Sequence, residues 1–191
     1  MNSGQHAAHA RSGFLGGLLK LIILVVVVIL MSIGLRTFVF QAYEIPSGSM
    51  EETIRTGDMV FSEKLSYYFR EAEPGDIVTF EDPQVPGRVL IKRVIAVGGQ
   101  TVNINDEDGL VYVDGVALDE PYTNGLPSFR LDNSVANVTY PYIVPEGELW
   151  VMGDNRTNSQ DSRYFGSIDA DTVTGHGVLI YWPLDHFGLL E

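Results

Sequence analysis

A mainly β protein carried behind one membrane-spanning helix is the fold class that this sequence predicts, and three observations predict it. An unbroken apolar run stands near the start, no long helical periodicity follows Gln41, and short β-branched and aromatic segments then recur between Gly and Pro. The apolar run LIILVVVVILMSIGL at 21–35 lies between Lys20 and Arg36, and apolar character extends outward through Phe14 to Leu19 and Phe38 to Phe40. As a helix, the interval from Lys20 to Arg36 covers about 24 Å, and both basic side chains can snorkel, so it can cross a hydrocarbon core. A cleavable secretory leader shares these features, but its cleavage site needs small residues at two positions separated by one. Phe40-Gln41-Ala42 puts a ring at the first of them.

The reading is therefore a cytoplasmic tail over 1–17, an uncleaved anchor over 18–40 and an extracytoplasmic domain over 41–191, single-pass in the cell membrane. Arg11 and Lys20 before the span against Arg36 after it give a shallow positive-inside bias toward that orientation. Beyond the anchor, strands are predicted at Met59–Ser62, Asp76–Phe80, Arg88–Val97, Thr101–Ile104, Leu110–Val113, Glu148–Met152 and Val173–Trp182. Gly98-Gly99 and Asp114-Gly115 have the chemistry of tight antiparallel turns. A short helix is expected at Ser62–Arg70. Residues 120–146, rich in Pro, Asn, Ser and Tyr, read as an excursion, so 103–147 is set apart as non-catalytic.

Composition narrows the function. Hydrophobic residues make up 45% of the chain, enough for a core, and the formal net charge is −13. Residues 1–43 hold three bases and no acid, so all 25 acids fall in the remainder. Such a body is repelled by phosphate backbones and anionic headgroups, which disfavours nucleic acid and leaves membrane contact to the apolar helix. The absence of cysteine excludes disulfides, thiolate metal sites and a cysteine nucleophile. His6, His9, His176 and His186 are too scattered to suggest a triad or a multi-His metal site, so no metal or cofactor is expected.

PSGSM at 46–50 places two hydroxyls around a glycine just past the anchor. A serine attacks only when a base takes its proton, and with no histidine in a promising context the base must be another residue. Lysine serves if burial lowers its pKa by roughly two to three units from about 10.4. Of the three lysines, Lys20 is in the anchor, Lys64 lies in a polar run, and Lys92 sits in the aliphatic strand VLIKRVIAV. Alternation puts Leu90, Lys92 and Val94 on one face and Arg93 on the other. By itself Lys92 could equally be an edge-strand lysine snorkelling to water. The segment MGDNRTNSQDSRYFG at 152–166 is dense in turn formers, and its Asp154, Arg156, Asp161 and Arg163 can pair in bidentate fashion. A solvated loop is the plainer alternative there, and the acids lack the spacing of an EF-hand.

Together with the anchor, these stretches resemble the bacterial type I signal peptidases, membrane-anchored Ser/Lys proteases that remove signal peptides from exported proteins. IPSGSM at 45–50 resembles the nucleophile box, GDMVF at 57–61 and GDIVTF at 75–80 the strands after it, IKRVIAVGGQTV at 91–102 the lysine box, and GDNRTNSQDSRYFG at 153–166 the C-terminal box. The resemblance implies an antiparallel, barrel-like catalytic domain of the kind shared with SOS-repressor peptidases. It implies Ser49 as nucleophile, Lys92 as general base, the Ser47 hydroxyl with the Ser49 amide as oxyanion hole, and Ser159 as the residue orienting the lysine amine. It further implies that Ile45, Met50, Leu90 and Ile91 line shallow pockets for the small residues of an Ala-x-Ala site, with the peptide bound as an added strand. Arg93 with Asp154, and Asp161 with Arg163, become structural ion pairs. The implied partners are secretory preproteins and the lipid bilayer, with no metal and no nucleic acid.

Two positions depart from the family pattern: Glu52 stands where proline is usual, and Thr157 where aspartate is common. Two other readings stay open. One is a self-cleaving Ser/Lys peptidase related to SOS repressors, disfavoured by the anchor and by the lack of a helical DNA-binding head. The other is a tethered β domain that only binds, for which substituting Ser49 or Lys92 would leave function intact.

Overall fold

The structure, a computed structural model, describes residues 5–132 and 134–190. The chain divides into two compact units, Met1–Val39 and Phe40–Glu191. The first contains helix α1 (Gln5–Phe38), within which Gly16–Gly34 is long and apolar enough to cross a membrane. Its aliphatic side chains from Leu18 to Ile33 are exposed, with no protein packed over them. The predicted anchor ran through Phe40. That residue instead opens a strand, because its backbone pairs with Glu63.

The second unit is two antiparallel sheets. Its strands are β1 (Phe40–Glu44), β2 (Met59–Glu63), β3 (Ile77–Glu81), β4 (Val89–Val97), β5 (Thr101–Asn105), β6 (Leu110–Val113), β7 (Val116–Ala117), β8 (Tyr142–Ile143), β9 (Glu148–Met152), β10 (Ile168–Asp169), β11 (Val173–Trp182) and β12 (Gly188–Leu189). The larger sheet runs β1-β2-β11-β3-β4-β9-β10 with β12 added to β11, and the smaller runs β7-β6-β5-β8. All seven predicted strands form within a residue of their expected ends, because β-branched side chains fill the pleated, half-buried surface that each sheet offers. The turn between β6 and β7 has Asp114 at φ 51° and Gly115 at φ 81°, the pair of positive values that a two-residue hairpin needs. The helix expected over Ser62–Arg70 shrinks to a single 3-10 turn, Ser66–Tyr68. Strand β2 claims Ser62 and Glu63, and the Glu63 carboxylate accepts the Ser66 N–H at 3.0 Å.

β4 is the spine of the site. It lies between β3 and β9, with Lys92 opposite Val78 and Arg93 opposite Met152. Alternation puts Leu90, Lys92 and Val94 on one face and Arg93 on the other, and Ile91 through Ala96 are all buried, so both faces are covered. One face packs Val94 with Val78, Phe80, Val151 and Phe165, with the half-buried Leu90 beside them. The other is roofed by the small sheet, whose Val102, Ile104, Val111 and Val113 close on Ile95, Trp150 and Met152.

Candidate active site

The serine turn is held from both sides. Ile45 N–H donates to the Asp58 carbonyl at 2.9 Å and Gly57 N–H to the Ile45 carbonyl at 2.8 Å, closing the loop between β1 and β2. Met50 and Ile54, both fully buried, pack with Ile45, Val60, Ile77, Ile91 and Ile180 under it. From the other side the loop after β9 reaches in: Asn155 N–H donates to the Ser49 carbonyl at 3.1 Å, and Asn155 Nδ2 to the Gly48 carbonyl at 3.0 Å. Gly153 belongs to this contact, since a Cβ there would stand 2.4 Å from the Ser49 carbonyl oxygen and 2.3 Å from Ser159 Oγ.

Lys92 comes from β4 to meet the turn. Its Nζ donates to Ser49 Oγ at 2.8 Å and to the Ile91 carbonyl at 2.8 Å. The lysine is 3% exposed and the serine 8%. Burial pushes the Lys92 pKa down to about 8, while Asp161, Asp154 and Asp82 resist that fall and Arg88 assists it. An amine of that basicity is neutral in a useful fraction near pH 7 to 8, and it already touches the hydroxyl whose proton it would take.

Beneath the pair lie two buried ion pairs. Arg93 donates Nε and an Nη to the two oxygens of Asp154 at 2.9 and 2.8 Å. Arg163 does the same to Asp161, at 2.9 Å for each. Burial alone would raise the Asp161 pKa, but the Arg163 guanidinium and the Gly153 N–H outweigh it and hold the carboxyl below its ordinary range. Asp154 also accepts the Thr53 hydroxyl at 2.6 Å, tying the segment after Ser49 to the same pair. Asp154→Ala would leave Arg93 charged and without its carboxylate in the interior. Thermal unfolding of the full chain in detergent should show a loss of about 3–5 kcal/mol, and a loss under about 1 kcal/mol would show the pair to be energetically idle.

Several expected positions differ in detail. Ser159 Oγ is buried but makes no well-formed hydrogen bond. Its polar influence falls on the Asp161 carboxylate rather than on Lys92. The lysine's bonds go to the Ile91 carbonyl and the serine instead, because its own strand supplies an acceptor next door. Met50 is 0% exposed, a core residue under the turn rather than a lining one, since the chain turns inward immediately after Ser49. Ile45, Leu90 and Ile91 do line a small depression of about 60 Å³ that ends at Ser49 and Lys92. A wider one of about 440 Å³ shares Ser49, Leu90 and Lys92 with it and extends instead to Asp82, Arg88 and Tyr164. Ser47 is exposed and lines both. Thr157 is exposed and bonds only Asn155, and Glu52 reaches only Arg55, at 3.8 Å.

Sequence reasoning passed over Thr53, Asn155 and Gly153, whose residue types carry no chemical signal, and it set aside the excursion. Glu120, in that excursion, accepts from both Nη groups of buried Arg156 at 2.6 and 2.8 Å, and Nη1 donates a further bond to Ser128 Oγ at 2.7 Å. The Tyr122 ring lies 4.0 Å from the Arg93 guanidinium, so the excursion packs on the loop after β9 through Glu120 and on β4 through Tyr122. Among the described residues, no group of three or more His, Asp or Glu could hold a metal ion.

The family described as "Signal peptidase, peptidase S26" matches residues 18–182. A "Probable signal peptidase I-1" of Synechocystis is 38% identical over 175 residues, covering 87% of this chain and 84% of that one. The "Signal peptidase I" of Mycobacterium tuberculosis is 33% identical, covering 88% and 74%. Among solved structures, a signal peptidase I from Enterococcus faecalis is 32% identical, covering 56% of this chain and 97% of that one with a TM-score of 0.46. The matched span takes in the apolar helix, the serine turn, β4 and the loop after β9 in one alignment, and the chain belongs to the signal peptidases of peptidase family S26, serine protease hydrolases acting on signal peptides.

Proposed function

We propose that this chain is held in the cell membrane by its N-terminal apolar helix, single-pass with the N-terminus cytoplasmic, and that residues 41–191 cut exported preproteins after Ala-x-Ala. Ser49 Oγ attacks the scissile carbonyl carbon while Lys92 Nζ takes its proton. The negative charge that develops on the carbonyl oxygen is met by the Ser47 hydroxyl and the Ser49 N–H. When the C–N bond breaks, the Lys92 ammonium returns the proton to the departing amine. A water then attacks the acyl-serine, giving one proton to Lys92; as the acyl C–O bond breaks, Lys92 passes that proton to Ser49 Oγ, and the released acid ionises to the carboxylate by losing its other proton to solvent.

The observation carrying this reading is the 2.8 Å contact between Lys92 Nζ and Ser49 Oγ in a buried setting that lowers the amine's basicity. The depression beside Ile45, Leu90 and Ile91, shallow and walled by aliphatic side chains, supports the preference for small apolar residues such as alanine. Arg93–Asp154 and Arg163–Asp161 act as structural pairs that hold the loop against the serine turn, and Ser159 shapes the Asp161 environment rather than bonding the amine. The test incubates detergent-solubilised chain with a preprotein bearing Ala-x-Ala, beside Ser49→Ala and Lys92→Ala. The parent should cut at the Ala-x-Ala site and neither variant should cut. Equal cutting by Lys92→Ala would remove the base from the mechanism.

A further inference from the structure

The wide depression contains a cation that the chemistry at Ser49 does not use. Arg88 sits in the hairpin between β3 and β4, closed by Arg88 N–H donating to the Val85 carbonyl at 3.1 Å and Asp82 N–H donating to the Arg88 carbonyl at 2.8 Å. Pro86 presets the first central position of that turn, and Gly87 at φ 78° supplies the positive value that the second requires. The arginine is thus carried on a defined turn. Alternation puts Arg88, Leu90 and Lys92 on one side of the strand, about 13 Å from first to last, and all three line the same depression.

We propose that Arg88 is a specificity determinant for the leaving-group half of the substrate, recognising a carboxylate side chain on the second or third residue after the cut. The proposal rests on the reading of Ser49 and Lys92 given above. Size assigns the two halves. The depression of about 60 Å³ suits the small residue before the cut, so the chain beyond Ser49 runs the other way, into the depression of about 440 Å³ that holds Arg88. At about 3.4 Å per extended residue, the second and third residues stand roughly 7–10 Å from the scissile bond, within the span from Lys92 to Arg88.

Asp82 formally neutralises Arg88 but offers a substrate almost nothing. Its side chain is 1% exposed, whereas that of Arg88 is 48% exposed. One Asp82 oxygen accepts the Gln84 N–H and the other accepts Arg88 Nε, while the two terminal nitrogens of Arg88 bond nothing among the described residues. An incoming carboxylate therefore meets an open guanidinium fork. Lys92 is the only other basic residue of this depression, and Gln84, Asn158 and Gln160 contribute neutral amides. The formal net charge of −13 opposes acidic peptides at long range. At about 50 mM salt, charges farther off than roughly 14 Å are largely screened, which leaves the adjacent cation dominant.

The test uses three peptides sharing one signal sequence and Ala-x-Ala site, with two Ala, two Glu or two Lys at the second and third positions after the cut. Measured at about pH 9 and about 50 mM salt, kcat/KM for the Glu peptide should exceed that for the Lys peptide by about five- to tenfold in the parent. Arg88→Gln should bring the ratio near one, and Arg88→Glu should invert it. Taken within one enzyme, the ratio is independent of any lost fold or changed Lys92 basicity. The double variant Asp82→Asn/Arg88→Gln, which leaves no unpaired buried carboxylate, should also give a ratio near one. An unchanged ratio in Arg88→Gln, or equal cutting of all three peptides by the parent, overturns the role of Arg88 while the Ser49–Lys92 reading stands. A parent that cuts none of the three overturns both.

Discussion

Cleavage of an Ala-x-Ala preprotein is expected to fall about a thousandfold from about pH 9 to about pH 5, with its midpoint near the Lys92 pKa of about 8. Only the neutral amine can take the Ser49 proton, and below the midpoint its fraction drops tenfold per pH unit. A profile of kcat/KM against pH measures this directly, and a flat one down to about pH 5 would rule out an amine base. The same burial fixes the sign of a stability effect. The folded pKa lies below the ordinary 10.5, so the fold disfavours the charged form. Below the folded value both folded and unfolded chains carry the charge, and the fold bears the full cost of burying it. As pH rises from about 8 to 10.5, the folded state loses its proton first and the cost fades. The gap corresponds to about 3 kcal/mol. Lys92→Met should therefore abolish cleavage yet raise stability by up to about 3 kcal/mol near pH 7, a gain that shrinks toward pH 10.5. Unfolding of parent and variant in detergent at both pH values reads it out, and destabilisation near pH 7 would mean that the ammonium is well accommodated.

Gly153→Ala is expected to reduce kcat at least about a hundredfold, because a misplacement of about 1 Å at a reacting group suffices for that. The new methyl would overlap the carbonyl oxygen of the nucleophile itself at 2.4 Å and Ser159 Oγ at 2.3 Å. A serine side chain can rotate away, but the Ser49 backbone is fixed by Asn155 on one side and by buried Met50 and Ile54 on the other. Either the serine turn or the loop after β9 must move, and with it the 2.8 Å contact to Lys92. The double variant Gly153→Ala/Ser159→Ala removes only the Oγ contact and leaves the Ser49 carbonyl oxygen at 2.4 Å and the residue 159 Cβ at 2.7 Å, so it should stay impaired. Full recovery in the double variant would show that the serine turn yields without consequence.

The positions that chemistry demands were the legible ones. A lysine in an aliphatic strand and two hydroxyls around a glycine in a turn made Lys92 and Ser49 candidates, but each has a plainer local reading, and only the resemblance of the serine, lysine and C-terminal stretches taken together paired them. The strands were legible because their β-branched runs are bounded by Gly and Pro. Two-residue pairings such as β7, β8, β10 and β12 carry no such pattern, since other strands hold them in place. The Ser62–Arg70 helix was misjudged for a related reason: a tertiary partner, β11 running beside Glu63 and Ser62, overrode a weak local preference.

The sequence by itself determined the class of the molecule, an apolar helix ahead of an antiparallel β body, because periodicity, turn chemistry and residue type act locally and survive in a linear string. Only the tertiary structure decided that β4 is covered on both faces, which buries Arg93 against Asp154 as deeply as Lys92 against Ser49. It also decided that the excursion packs on the loop after β9 through Glu120 and on β4 through Tyr122, and that Gly153 is the point where that loop touches Ser49. These depend on which distant segments share a surface, Ser49 meeting a strand 43 residues on and a loop more than a hundred residues on. Long-range closure of that kind is set by the packing of whole sheets, and no local pattern of residues encodes it.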